Sequence, residues 1–160
     1  MITFLPPEVY AYNRLMAQSF RRYTGHSIID SGDESLSDQA LAEAMYNAPQ
    51  AIVSHGTEAD PIFRYANRSA LTLWEMDWEA FTRLPSRRSA EAEPDIQSDR
   101  DALLKAALQK GWVDNYQGIR VSNTGRRFYI DQTVLWNVVD KDGVRHGQAA
   151  FIRQWRHIAP

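Results

Sequence analysis

The stretch that decides the fold runs from Val113 to Arg156: VDNYQGIRVSNTGRRFYIDQTVLWNVVDKDGVRHGQAAFIRQWR. It reads as three strands, Val113 to Ser122, Arg126 to Val139 and His146 to Arg156, broken at Asn123-Thr124-Gly125 and at Asp140-Lys141-Asp142-Gly143. Each break carries the glycine that a tight reversal with positive φ favours. Connections this short leave no room for a crossover, so the three strands are expected to be antiparallel neighbours. In the middle strand, strict alternation puts Phe128, Ile130, Gln132, Val134 and Trp136 on one face. Tyr129, Asp131, Thr133, Leu135 and Asn137 then share the other. Neither face is polar throughout. This predicts a sheet covered on both sides, one by the chain's own helices and the other by an N-terminal helix or a second subunit.

Upstream of this meander, Ser98 or Asp99 opens a helix lined by Leu103, Leu104, Ala107 and Leu108 and ended by Gly111. Asp77 caps a short turn with Trp78 and Phe81, and Asn67 caps a short helix through Ser69, Leu71 and Trp74. Ala51-Ile52-Val53 and Ile62-Phe63-Arg64-Tyr65 flank a turn-rich segment, as a hairpin would. Nearer the N-terminus, Pro6-Pro7-Glu8 begins a helix whose Val9, Tyr12, Met16, Phe20 and Tyr23 form one apolar stripe ending at Thr24-Gly25. A small, acidic linker leads to Ser37, the expected cap of a second helix from Asp38 to Tyr46. The expected class is α+β, with a five-stranded antiparallel sheet and short helices between strands 2 and 3. A helical extension over 1–48 precedes one compact unit over 49–160.

The bulk chemistry removes several functions. A net charge of −2 gives no field toward nucleic acid or anionic lipid. The chain has no cysteine, which excludes disulfides, thiolate metal sites and any cysteinyl–flavin adduct. Met1 to Pro7 lacks the basic lead and apolar run of a signal peptide, and no stretch has the roughly 20 apolar residues a bilayer requires. A cytoplasmic location is the expectation.

Two strands, a helical run and a three-strand meander is the element order of the PAS fold. Tyr65-Ala66-Asn67-Arg68-Ser69-Ala70-Leu71 resembles the segment where PAS domains leave their second strand. Longer runs carry a sharper resemblance: Ser54 to Pro61, Leu73-Trp74-Glu75-Met76, Leu84 to Glu91, Gly125-Arg126-Arg127-Phe128, Trp136-Asn137 and His146 to Ala150. Together they are similar to the PAS-related MEKHLA domain family, which occurs as stand-alone bacterial proteins and at the C-terminus of plant homeodomain–leucine-zipper regulators. The resemblance implies a stand-alone bacterial member with a sensory or regulatory role. No DNA-binding helix or zipper heptad accompanies it, so no nucleic-acid partner is expected.

In a fold of this kind a small ligand would sit between the helices and the sheet, in a mostly apolar pocket with a few convergent polar groups. The ligand-binding candidates are Trp74, Trp78 and Phe81 from the helices and Trp136 and Gln148 from the sheet. Arg87 and Arg88 are placed at the lip, where a guanidinium could close over a carboxylate or phosphate. Simple core packing is the competing reading of the tryptophans, and pairing with Glu91 or Glu93 that of the arginines. Asn67, His55 and Asp60 are read as turn or cap residues, and His55, Glu58 and Asp60 match no metal signature. The expected cofactor is unknown. The helix from Ser98 to Lys110 has no histidine to ligate haem, while non-covalent flavin stays open. Catalysis is not expected; the weak alternative is an isomerase-like acid/base pair of Asp131 and Tyr129. The expected partners are a small molecule and a second copy docking through the N-terminal helix and sheet face, with no membrane. Ligand binding would be signalled through association, and an interaction module without a ligand is the alternative.

Overall fold

The computed structural model describes residues 5–30 and 32–159. Strands β1 (Ala51–His55) and β2 (Phe63–Ala66) form the expected antiparallel hairpin, with a register irregularity between Ser54 and His55. Asn67 then caps α3 (Arg68–Trp74), and Asp77 caps α4 (Trp78–Phe81). A 3-10 turn over Ser86–Ser89 leads to α5 (Pro94–Lys110). The sheet is completed by β3 (Trp112–Val113), β4 (Gly118–Val121), β5 (Arg127–Val139) and β6 (Arg145–His157). Strand order is β2-β1-β6-β5-β3, with β4 also paired to β5. The strand expected from Val113 to Ser122 is therefore two, and the sheet has six strands. Residues 114–117 leave the ladder between them, which carries Tyr116 into the interior.

Asn67 shows how local sequence fixes this frame. Its amide is wholly buried, accepts from the Ile52 and Ala70 N–H groups, and donates to the Met45 and Gln50 carbonyls. One side chain thus satisfies backbone groups of α2 (Asp38–Tyr46), the lead into β1, and α3, leaving none of its own polar atoms unpaired.

The outer face of the sheet is covered by α1 (Pro7–Thr24). Met16 and Phe20 are buried against Val134, Trp136, Val138, Ala149 and Phe151. Phe20 meets Trp136 edge-on at 5.0 Å and Phe151 at 5.5 Å. Polar contacts fix the helix in place: Trp136 Nε1 donates to the Met16 carbonyl, and Ser19 Oγ donates to the Val139 carbonyl while accepting from its N–H. The Tyr12 hydroxyl lies 2.6 Å from Ser54 Oγ, which itself donates to the Gln148 carbonyl. Gly147 makes room for this arrangement, since a Cβ there would sit 2.5 Å from the Tyr12 hydroxyl oxygen. Of the two covers the sequence left open, the N-terminal helix occupies the face. The apolar stripe and the sheet face expected to pair two copies are buried against each other within one chain.

The alternation expected along the long strand fails at one residue. Gln132 has φ of 47°, and the side chains change faces there. Phe128 and Ile130 pack inward toward α3, together with Leu135, while Val134 and Trp136 pack outward against α1. Strand β6 follows: Ala150 and Ile152 are inward, and beyond the switch Trp155 packs on the inner cluster. The inner face of α5 also differs from its sequence reading. Arg100 and Ala107 are its buried residues, whereas Leu108 is exposed, and the helix opens earlier, at Pro94, capped by Glu93. Among the described residues no helix is long and apolar enough to cross a membrane.

Candidate functional site

Between α5 and the inner face of the sheet lies a cavity of about 30 Å³. That volume is close to the share of one water molecule. Ligand pockets run to several hundred Å³, so the cavity as it stands is smaller than a ligand pocket. Its apolar walls are Val53, Phe63, Trp74, Leu104, Ile130 and Leu135. Its polar atoms come from His55, Gln148, Arg100, Arg120 and Tyr116.

The first polar group is a ladder that ties α5 to the sheet. His55 and Gln148 are cross-strand partners, with His55 Nε2 3.2 Å from Gln148 Oε1. Gln148 Nε2 donates to the Leu104 carbonyl and to Asn137 Oδ1, and Asn137 Nδ2 donates to the Ala107 carbonyl. With the amide committed as donor to Leu104, Gln148 Oε1 is left to accept. The imidazole therefore carries its proton on Nε2. Burial, aided by the charge of Arg100, pushes the His55 pKa down to about 4, so the ring is neutral near pH 7.

The second polar group is a pair of guanidinium groups. Arg100 is 4% exposed and Arg120 2% exposed. Arg100 Nη2 donates to Ser86 Oγ, and its nearest carboxylate is that of Asp101, 3.9 Å away and 71% exposed. Arg120 Nη1 donates to the Ile119 carbonyl, and its guanidinium lies over the Tyr116 ring, 4.9 Å from the centroid. Arg100 Nε and Arg120 Nη2 are buried and, among the described residues, have no hydrogen-bond partner. Burial pushes the Tyr116 phenol up, but the charges of Arg100 and Arg120, together with hydrogen bonding from both guanidinium groups, outweigh it and hold the pKa below its ordinary value. Gly118, at φ 148°, accommodates this crowding, because a Cβ there would stand 3.0 Å from Arg120 Nη1.

Arg100 and Arg120 also border a cleft of about 420 Å³ that opens beside the cavity, lined by Ile96, Asp99 and Leu103 of α5 and by Ile119 and Tyr129. Arg100 and Arg120 thus line both spaces, and their shared border forms the neck between cavity and cleft.

The sequence candidates are scattered by this geometry. Trp74 and Gln148 line the cavity, and Trp74 Nε1 donates to the Ser89 carbonyl. Phe81 stands behind that wall, stacked on Phe63 at 4.2 Å. Trp78 packs edge-on against Tyr65, away from the cavity. Trp136 is on the opposite face of the sheet, a correction that follows from the switch at Gln132. Arg87 is 53% exposed and pairs with Asp60 rather than with Glu91 or Glu93, and Arg88 is exposed; neither lines the cavity. His55, read as a turn residue, ends β1 with its ring in the cavity wall, while Asp60 and Glu58 stay at the surface. Tyr129 lines the outer cleft and Asp131 does not, so the acid/base pair does not share a pocket. The functional residues that sequence reading missed are Arg100, Arg120 and Tyr116. One signal was available: Arg100, Leu104 and Ala107 are spaced four and three apart, which sets a charge in the inward stripe of α5.

Comparison with known proteins gives a family and a fold. The sequence model of the MEKHLA domain matches residues 10–157. Homeobox-leucine zipper protein HOX29 of Oryza sativa subsp. japonica is 30% identical over 139 residues, covering 86% of this chain and 16% of that protein. Homeobox-leucine zipper protein ATHB-9 of Arabidopsis thaliana is 26% identical over 157 residues, covering 95% and 18%. The chain spans less than a fifth of the length of these curated relatives. Both are plant proteins and lend no support to a stand-alone bacterial member. In fold the chain is similar to the PAS domain of a protein from Colwellia psychrerythraea, with TM-score 0.61, 16% identity and coverage of 72% and 94%. It is also similar to an RNA-binding light-oxygen-voltage receptor, with TM-score 0.62, 20% identity and coverage of 75% and 33%.

Proposed function

Because this chain belongs to the MEKHLA domain family and has a PAS-like fold, we propose that it is a sensory or regulatory domain for a small, partly apolar ligand. The ligand enters between α5 and the sheet, and its binding is passed on through association with another protein. One observation carries this reading: two buried donors at the cavity neck, Arg100 Nε and Arg120 Nη2, have no hydrogen-bond partner among the described residues. Leaving such donors unpaired costs about 1–3 kcal/mol each, and more when they are charged. A fold built only for stability would replace them with apolar side chains. The cavity is small, so occupation requires α5 to move outward from β4, opening the neck into the cleft. That movement is the signal a partner would read. The absence of cysteine suits a reducing compartment, and a cytoplasmic location belongs to the same reading.

The alternative, an interaction module that binds no ligand, rests on the apolar stripe of α1 and the two-sided sheet. That stripe is buried on the sheet, which weakens the case for it. Native mass spectrometry of the protein purified without denaturation tests the ligand reading. The expected result is a retained small molecule that is released on unfolding; a bare chain under all gentle conditions would count against it.

A further inference from the structure

Two buried cations with no buried carboxylate beside them among the described residues are an unusual arrangement, because a buried charge is ordinarily paired. Here each guanidinium is tethered by a neutral acceptor, the Ser86 hydroxyl for Arg100 and the Ile119 carbonyl for Arg120, and both also approach the Tyr116 phenol within hydrogen-bonding reach. Each presents one buried nitrogen without a hydrogen-bond partner among the described residues, Arg100 Nε and Arg120 Nη2. Both residues border the inner cavity and the outer cleft. Resting on the ligand reading above, we propose that the neck is a carboxylate site, and that the ligand is a small organic monocarboxylic acid whose two oxygens each accept from one of these arginines.

Three features favour a carboxylate over other anions. Those two donors, on separate guanidinium groups, match the two oxygens of a planar carboxylate. The neck adjoins a space of only about 30 Å³, which suits a flat group better than a tetrahedral phosphate. Beyond the neck, Ile96, Leu103 and Ile119 offer an apolar track for a short chain, while Asp99 on the same cleft repels a second negative charge. The excess of positive charge is felt by Tyr116, whose phenol is held below its ordinary pKa by the same two arginines despite its burial. No bond is made or broken; the site binds, and neutralises part of the buried charge.

The test uses the full chain with hexanoate, its neutral amide and inorganic phosphate as probes. Binding is read by calorimetry and by the side-chain Nε–H resonances of arginine. Hexanoate is expected to bind saturably and shift the Arg100 and Arg120 resonances, and hexanamide to bind about tenfold or more weakly, the loss expected for a charge-assisted contact. Arg120→Met and Arg100→Met should each lower hexanoate affinity about tenfold or more, and Arg87→Met should leave it unchanged. If Arg100→Met does not fold, Arg100→Lys keeps the charge but removes the Nε donor, and the same loss is expected. Equal binding of hexanoate and hexanamide overturns the proposal, as does tighter binding of phosphate than of any carboxylate. A neutral molecule retained in native mass spectrometry, with arginine resonances indifferent to hexanoate, overturns the carboxylate site and leaves the ligand reading standing. Indifference together with a bare chain overturns both.

Discussion

At the scale of single residues, His55 makes the cavity measurable. Its pKa is lowered from 6.5 to about 4, first by burial and then by Arg100, with lesser opposing effects from Gln148 and Glu58 and a further lowering by Arg145. The unfolded chain takes up this proton near pH 6.5, whereas the folded one does so only near pH 4. The contribution of neutral His55 to stability is therefore complete above pH 6.5 and is lost progressively as pH falls toward 4. The shift corresponds to about 3 kcal/mol. Urea denaturation at pH 7 and pH 4.5 should show a steeper loss for the wild type than for His55→Gln; parallel losses would contradict the assignment. Asn67 and His55 also mark where sequence legibility ends. Asn67 was readable as a cap because its bond to the Ala70 N–H is local. His55 looked like a turn residue because its neighbours Arg100 and Gln148 come from 45 and 93 positions away.

At the scale of elements, the informative failure is in β5. Alternation predicts faces correctly only while every residue keeps extended backbone. Gln132 adopts the left-handed region and reverses the assignment on one side of it. Neither glycine nor asparagine marks that position, so no local signal announced the switch. Gln132→Gly should retain or slightly raise stability. Gln132→Val should cost about 2 kcal/mol, because a β-branched side chain resists positive φ; equal thermal midpoints for the two variants would contradict the reading. The helix α1, by contrast, was legible as an amphipathic stripe, but its destination was not, since apolar periodicity names a buried face without naming the partner. Phe20 is the centre of that contact, touching both Trp136 and Phe151. Phe20→Ala is expected to cost about 4 kcal/mol in chemical denaturation. A loss below about 1 kcal/mol would mean that α1 is not essential to the sheet's cover.

At the scale of the whole molecule, two apolar cores share one sheet, and they differ in what they enclose. The outer core, under α1, is closed by aromatic packing and by the hydrogen bonds of Trp136 and Ser19, although Asn13 Oδ1 and the Tyr65 hydroxyl there also lack a partner among the described residues. The inner core, under α3 to α5, contains the cavity, the neutral imidazole and two cations with no buried carboxylate beside them among the described residues. Sequence reading placed a pocket between the helices and the sheet and chose aromatic walls for it, because large aromatics are conspicuous; Trp136, one of them, lies on the other face. It placed the arginine function in an exposed loop, where Arg87 pairs with Asp60, because a charge buried in a helix stripe reads as surface until the fold is known. The most direct measurement of the account is the stability of Arg120→Met in buffer free of organic acids. If Arg120 is retained for a ligand, replacing an unpaired buried charge with an apolar side chain leaves the domain as stable as the wild type or more so, by about 1–4 kcal/mol. A loss of about 3 kcal/mol or more would make Arg120 a structural residue and contradict the claim that this neck is held for a ligand.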